Sequence, residues 1–357
     1  MHSSKIQSVC HILTTSKHLH CIHSAVQKWL SRAIMRRCFM RIGASRCDVE
    51  IGLIVVLAVE PCSGGSGNAS LLIGVRWIMA RLRVTAVITT YHREWKMLQR
   101  SITSVFQQTV PVLELLLVDD NGLGTAYQTQ IAREAAKFPQ IRYLPMEKNS
   151  GVSAARNYAI AQAKGDVLGY LDDDDAWCPD KLEKLLPLFE QSTDTTLVFG
   201  TGRVFQKDTG KEHYNWQWEV FKPKPSYVDM LYTDYVGSAS APLMRVDALR
   251  ALGGFRKQPA VEDYELWIRF AQCYKLRGIR DVVFFKYNET EEHVSGSLRR
   301  VGQGFRCIYE LYRSDYQKHP AARTAILWNI CRTGVRSFDP TVVPFVLEWM
   351  LSRLHRE

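Results

Sequence analysis

The stretch GYLDDDDAW, Gly169–Trp177, sets four adjacent aspartates behind an apolar tripeptide. Neighbouring carboxylates repel one another, so a chain keeps such a run on a solvated turn or where a cation holds it. The residues leading into it, DVLGYL (Asp166–Leu171), read as an apolar strand. The run therefore stands at a strand's carboxyl end, which makes it a site candidate as well as a turn.

Upstream, the pattern alternates. RVTAVITTY (Arg83–Tyr91) reads as a buried strand, Trp95–Gln107 as an amphipathic helix, and LELLLVDD (Leu113–Asp120) as an apolar strand ending in carboxylates. A helix over Thr125–Phe138, a short strand over Gln140–Leu144 and an alanine-rich helix over Ser153–Ala163 follow. Strands that are apolar throughout and alternate with helices predict a parallel sheet covered on both faces. The expected fold class is α/β, and ligands bind such sheets beyond the carboxyl ends of the strands. Thr89–Tyr91, Asp119–Asp120 and Asp172–Asp175 are then expected along one rim. Downstream, the pattern predicts a helix over Asp180–Gln191, a strand over Thr196–Phe205 and an aromatic-faced strand over His213–Val220 with Tyr214, Trp216 and Trp218 alternating. Helices are expected over Val228–Asp234, Val246–Leu252, which stops at Gly253-Gly254, Glu262–Tyr274 and most of the last fifty residues.

Each cluster carries a chemical reading beside a plain one. Mg²⁺ or Mn²⁺ takes one or two protein carboxylates and lets phosphates fill other positions, which an acidic run at a strand end supplies; the plain reading is a solvated turn. Asp120 suits a base N–H or a ribose hydroxyl, or else the pair Asp119-Asp120 with Asn121 caps the next helix. Arg156 suits a phosphate, or else lies on the surface. Glu262-Asp263 supply a general base if they reach the rim, or else simply favour a helix N-terminus.

Five segments, in order, resemble a family 2 glycosyltransferase of the GT-A fold. They are VITTYHRE (Val87–Glu94), with His92 where that family usually has Asn, LLLVDDNG (Leu115–Gly122), NSGVSAARNYAIAQAKGD (Asn149–Asp166), YLDDDDAWCPDKL (Tyr170–Leu182) and LGGFRKQPAVEDYELWIRFA (Leu252–Ala271). The resemblance implies a Rossmann-like, mostly parallel sheet flanked by helices, followed by C-terminal helices. It implies that Thr89, Tyr91 and Asp120 hold the nucleotide, most often uridine, and that Asp172 and Asp173 lie near ribose and phosphate. It makes Asp174 the chief ligand of Mn²⁺ or Mg²⁺, with Asp175 in support, and Arg156 a donor contact. Asp263 would be the catalytic base with Glu262 beside it. His293 is a further metal candidate on a loose match, EEHVSGSLRR; a loop histidine is the plain alternative. The implied reaction moves a sugar with inversion from a nucleotide sugar, of the UDP class, to a glycan or lipid-linked acceptor in surface polysaccharide synthesis. The competing classes are a nucleotidyltransferase, which would favour a Gly-rich phosphate loop that TTYHRE lacks, and a non-catalytic sugar-nucleotide or glycan-binding module.

Composition bounds the rest. The chain has 357 residues and a formal charge of +10, with +6 of it in residues 1–78. The body is too near neutral to indicate nucleic acid. Five of the nine cysteines also fall in the first 78 residues without metal-ligand spacing, which reads as free thiols in a reducing compartment. Residues 1–78 are expected to be an extension, disordered or outside the true start at Met79, ending in the linker Ser63–Ser70. Residues 79–300 are expected to form the catalytic domain, divided near 195 into nucleotide-sugar and acceptor halves, and 301–357 a helical segment. No run approaches the ~20 apolar residues of a membrane span. The expected location is cytoplasmic; the helix Val342–Leu354, with Arg353, His355 and Arg356 at or just past its end, reads first as packing against the domain, with peripheral membrane contact as the alternative.

Overall fold

The computed structural model describes residues 51–59, 71–79, 82–192, 194–206, 212–214, 219–288 and 297–354. The chain divides into two units at Arg81–Leu82. In the first, β1 (Ile51–Val59) pairs antiparallel with β2 (Leu71–Met79), Ile51 opposite Met79. The sequence pattern had shown no element there; the linker Ser63–Ser70 lies outside the described residues.

The second unit is built on the predicted alternation. Strand β3 (Val84–Thr90) leads to helix α1 (Trp95–Phe106), β4 (Glu114–Asp119) to α2 (Ala126–Ala135), and β5 (Ile141–Pro145) to α3 (Val152–Gln162) and β6 (Val167–Asp172). These four strands are parallel in the order β5-β4-β3-β6. Alternate residues enter two separate cores: Ala86, Ile88, Leu115 and Leu117 face one layer, Val87, Leu116 and Val118 the other. A sheet buried on both faces needs strands without a polar side, and the uninterrupted apolar runs follow from that.

Beyond β6 the sheet becomes mixed. β7 (Ala176–Trp177) is followed by α4 (Lys181–Leu185) and α5 (Pro187–Glu190), one predicted helix broken in two at Pro187. Then come β8 (Thr195–Gln206), β9 (Glu212–Tyr214), α6 (Tyr227–Tyr232), β10 (Leu243–Arg245), α7 (Val246–Ala251), α8 (Glu262–Cys273) and β11 (Lys275–Asn288). Of the predicted aromatic strand only Glu212–Tyr214 is described; Trp216 and Trp218 lie outside the described residues. β10 pairs antiparallel with β6 and β8, β8 runs parallel to β11, and β11 pairs antiparallel with β7. The chain leaves β6 through the aspartates and enters β7 at the opposite end of the strand order, so the sheet curls around the acidic turn. Helices α9 (Leu298–Leu311), α10 (Arg313–Lys318), α11 (Pro320–Arg336) and α12 (Val343–Leu354) follow.

Gly169 explains why the acidic motif opens on glycine. A Cβ there would stand 2.6 Å from Leu243 Cδ2 and 3.0 Å from the Trp177 ring, all fully buried. Gly169→Ala should therefore lower stability by about 1–3 kcal/mol, the usual cost of overpacking, in a chemical-denaturation curve. An unchanged midpoint would show that the core gives way there freely.

Candidate active site

Strand register assembles the rim. Thr90 lies opposite Asp119, and Thr89 opposite Asp172. A cleft of about 1460 Å³ opens there, and Thr89, Tyr91, Asp120, Arg156, Asp172, Asp173, Asp174, Glu262 and Asp263 all line it. Residues drawn from five segments spread over 175 positions thus share one cavity. Asp175 is fully buried behind it, and His293 lies outside the described residues.

The four aspartates have different surroundings. Asp172 accepts from Arg156 at 3.1 Å, and its own N–H donates to Ser240 Oγ. Asp173 accepts from Arg93 Nε at 2.9 Å, and the same guanidinium lies 3.2 Å from Asp174. Burial pushes Asp173 up to about 7, against the pull of Arg93. The Asp174 carbonyl accepts from Arg100 at 2.6 Å. Asp175 accepts from Ser240 Oγ at 2.8 Å, while its Oδ1 has no hydrogen-bond partner among the described residues. Burial pushes Asp175 up to about 8, partly offset by Lys286; the Asp175 charge in turn raises Lys286. Repulsion within the turn is thus relieved by arginine and lysine side chains rather than by solvent, which removes the solvated-turn reading.

Asp119 and Asp120 divide their work. Asp119, buried, accepts from Asn121 and from the Tyr143 hydroxyl at 2.7 Å, so it is committed to the scaffold. Asp120 accepts the backbone N–H groups of Ser150 and Gly151, both at 2.8 Å, and still faces the cleft. Its pKa is raised by burial against those two bonds. Gly151, at φ +88°, supplies the turn that brings that loop to Asp120. Tyr91, 47 % exposed, stacks on His92 at 4.0 Å, which stacks on Tyr127 at 4.9 Å. This aromatic column stands at the edge of the cleft.

Arg156 joins the two halves of the site. It is buried, lies over the rings of Tyr170 and Phe255, and donates to Asp172 and, at 2.7 Å, to Glu262. Its pKa is raised because the nearby carboxylates, Glu262 foremost, outweigh its burial. Glu262 and Asp263 open α8 as predicted. Burial, with the neighbouring charges of Glu262 and Asp234, pushes Asp263 up to about 8. Asp234, itself raised to about 6 by burial, accepts from the N–H groups of Val236 and Gly237. Reading the sequence alone had missed Arg93, Asp234, Ser240 and Lys286. Arg93 sat inside a quoted motif, and Asp234 ended the helix expected over Val228–Asp234.

The donors at the cleft wall are carboxylate oxygens, which suit a hard divalent cation. Among the described residues no group of three or more His, Cys, Asp or Glu side chains is gathered as a ready cage. A cation that keeps water and takes phosphate oxygens needs only one or two carboxylates, and Asp172 and Asp174 both line the cleft.

Residues 85–253 match the model of glycosyl transferase family 2. The chain is 28% identical over 193 residues to an uncharacterized glycosyltransferase of Methanocaldococcus jannaschii, covering 54% of this chain and 66% of that one. It is 35% identical over 164 residues to TuaG of Bacillus subtilis, a glycosyltransferase named for teichuronic acid biosynthesis, covering 45% of this chain and 62% of that one. The chain thus spans slightly under two thirds of these relatives' length. The crystal structure of S. aureus TarS 1-349 in complex with UDP-GlcNAc superposes with a TM-score of 0.53 at 15% identity, over 76% of this chain and 89% of that one, which shows a shared GT-A fold. The part of the chain that carries the acidic turn is thus similar to family 2 glycosyltransferases.

Proposed function

We propose that the protein is a metal-dependent inverting glycosyltransferase that moves a sugar from a UDP-sugar to a glycan acceptor in polysaccharide synthesis. One observation carries this reading: Arg156 bridges Asp172 of the acidic turn to Glu262 of the distant Glu-Asp pair, and both open onto one cleft. The biosynthetic name of TuaG and the UDP-GlcNAc bound in the TarS crystal structure support the substrate class.

The nucleotide lies along the strand rim. Tyr91, at the end of its aromatic column, offers a face for the base; Thr89 and Asp120 contact the nucleoside, with Asp173 and Arg156 beyond them. Asp174, assisted by Asp172, would hold Mn²⁺ or Mg²⁺, which neutralises the departing diphosphate when bound. Asp175, tied to Ser240, holds the turn from behind. Asp263 accepts the proton of the acceptor hydroxyl, and the freed oxygen attacks the anomeric carbon opposite the nucleotide, so configuration inverts. Glu262, fixed by Arg156, keeps the base oriented. The test is acceptor-free release of nucleotide from a panel of nucleotide sugars, which should require the divalent cation and stop with chelator.

Such a donor places the work in the cytoplasm, and a peripheral membrane contact fits α12. Its outward positions Val343, Leu347, Met350 and Leu351 are all apolar and more than half exposed, and Phe338 just before it is 95 % exposed. Among the described residues no helix is long and apolar enough to cross a membrane. An apolar stripe at helical spacing suits burial at a lipid interface. The protein should float with vesicles containing anionic phospholipid, and Leu347→Glu with Met350→Glu should abolish this. Vesicle binding that survives both substitutions would rule the helix out as the contact.

A further inference from the structure

We infer that the acceptor is an anionic saccharide, whose negative group is bound by Arg300 and Arg332 at the base's side of the cleft. This rests on the glycosyltransferase reading of the site and adds the charge class of its acceptor. Both arginines line the same cleft as Asp263, together with Val301, Phe305 and Asn329. They come from α9 and α11, not from the strand rim that faces the nucleotide.

Close packing fixes where they stand. A Cβ on Gly304 would lie 2.3 Å from the Ala260 carbonyl, two residues before Glu262, so α9 is pressed against the loop that carries the base. A Cβ on Gly302 would lie 2.7 Å from Thr333 Oγ1, so α9 is equally close to α11 beside Arg332. The two glycines thus hold α9 close to the loop before Glu262 and to α11, and Arg300 and Arg332 reach the shared cleft from these two helices.

The local charge balance leaves both arginines available. Residues 297–354 contain four carboxylates, and each is held by another cation: Asp339 by Arg306 at 2.8 Å, Glu310 by Arg313 at 2.7 Å, Asp315 by Lys318 at 3.5 Å and Glu348 by Arg323 at 2.6 Å. Among the described residues Arg300 makes no ion pair, and Arg332 donates only to the neutral Asn329 side chain. Two guanidinium groups without carboxylates, at the wall of a cleft that is otherwise strongly acidic, suit an incoming phosphate or carboxylate. A neutral sugar accepts hydrogen bonds from them but brings no charge to match theirs.

The test measures binding without donor, so it does not depend on turnover. Fluorescently labelled oligomers of poly(glycerol phosphate), polygalacturonate and dextran, matched in length, are titrated by anisotropy, with UDP titrated separately. At least one anionic oligomer should bind about tenfold or more tightly than dextran, roughly one charge-assisted contact, and the stronger of the two names phosphate or carboxylate as the source. Arg300→Ala with Arg332→Ala should remove that preference while UDP affinity moves less than about twofold, and Arg336→Ala, on the same helix but outside the cleft, should retain it. Equal binding of dextran, a preference that survives the double substitution, or a parallel loss of UDP affinity would each overturn the inference. The last would assign the arginines to the donor instead.

Discussion

Asp263→Asn should lower kcat by about 10²–10⁴, the usual contribution of a positioned general base, while leaving UDP affinity nearly unchanged. Asparagine keeps the shape and the contact with the Tyr264 N–H but cannot take a proton. The wild-type kcat/KM should rise with pH and level off above about 8, since Asp263 is pushed up to about that value and must be ionised to act. The same shift has a stability consequence of definite sign. Below the ordinary carboxyl value of 3.8 both folded and unfolded states hold the proton. Between 3.8 and about 8 only the folded state holds it, so this group's contribution to stability falls as pH rises and is gone above about 8. Asp263→Asn should therefore melt higher than the wild type at pH 9, by about 2–4 °C for each kcal/mol relieved, and the gap should close toward pH 4. A variant that gains stability as it loses activity is expected where a site stores unfavourable charge. Full activity in Asp263→Asn would move the base elsewhere, with Asp234 next in line.

Arg156→Met should cost about 3–5 kcal/mol, because removing one partner of a buried ion pair leaves the other uncompensated. Here two carboxylates, Asp172 and Glu262, lose their shared cation. The expected fall in melting temperature is on the order of 10 °C. Arg156→Lys should recover only part of the loss, since a single ammonium cannot reproduce the fork that reaches both acids. Arg156→Met combined with Glu262→Gln should melt above Arg156→Met alone. If Arg156→Met melts within a degree of the wild type, the bridge between the two halves is not structural, and the resemblance-based view of Arg156 as a donor contact stands alone.

The region from β3 to β6 was legible in the sequence because a doubly covered parallel sheet writes itself as apolar runs with polar ends. Each strand from Val84 to Asp172 lies within a residue or two of where periodicity put it. The region beyond β7 was less legible. The fourteen-residue strand Lys275–Asn288 went unread, since KLRGIRDVVFFKYN mixes charge into both faces and follows a helix without a turn signal. The three-residue strand Leu243–Arg245 is too short to show a period, yet it connects the two halves of the sheet. For the site, residue types at strand ends indicated which carboxylates mattered. Spacing could not show that Arg156 reaches across 106 positions to Glu262, that Arg93 sits among the aspartates, or that Lys286 faces Asp175. Those contacts arise from the curl of the sheet, which no local pattern encodes.

The measurement that tests the central claim most directly is acceptor-free hydrolysis of a panel of nucleotide sugars by wild type and Asp174→Ala, each with Mn²⁺ and with chelator. The account predicts slow release of one nucleotide, of the uridine class, that needs the cation and is lost in Asp174→Ala. Binding of a nucleotide sugar without turnover, even when acceptor glycans are added, would contradict the catalytic assignment and leave a sugar-nucleotide-binding module. Turnover that persists with chelator and in Asp174→Ala would contradict the role given to the acidic turn.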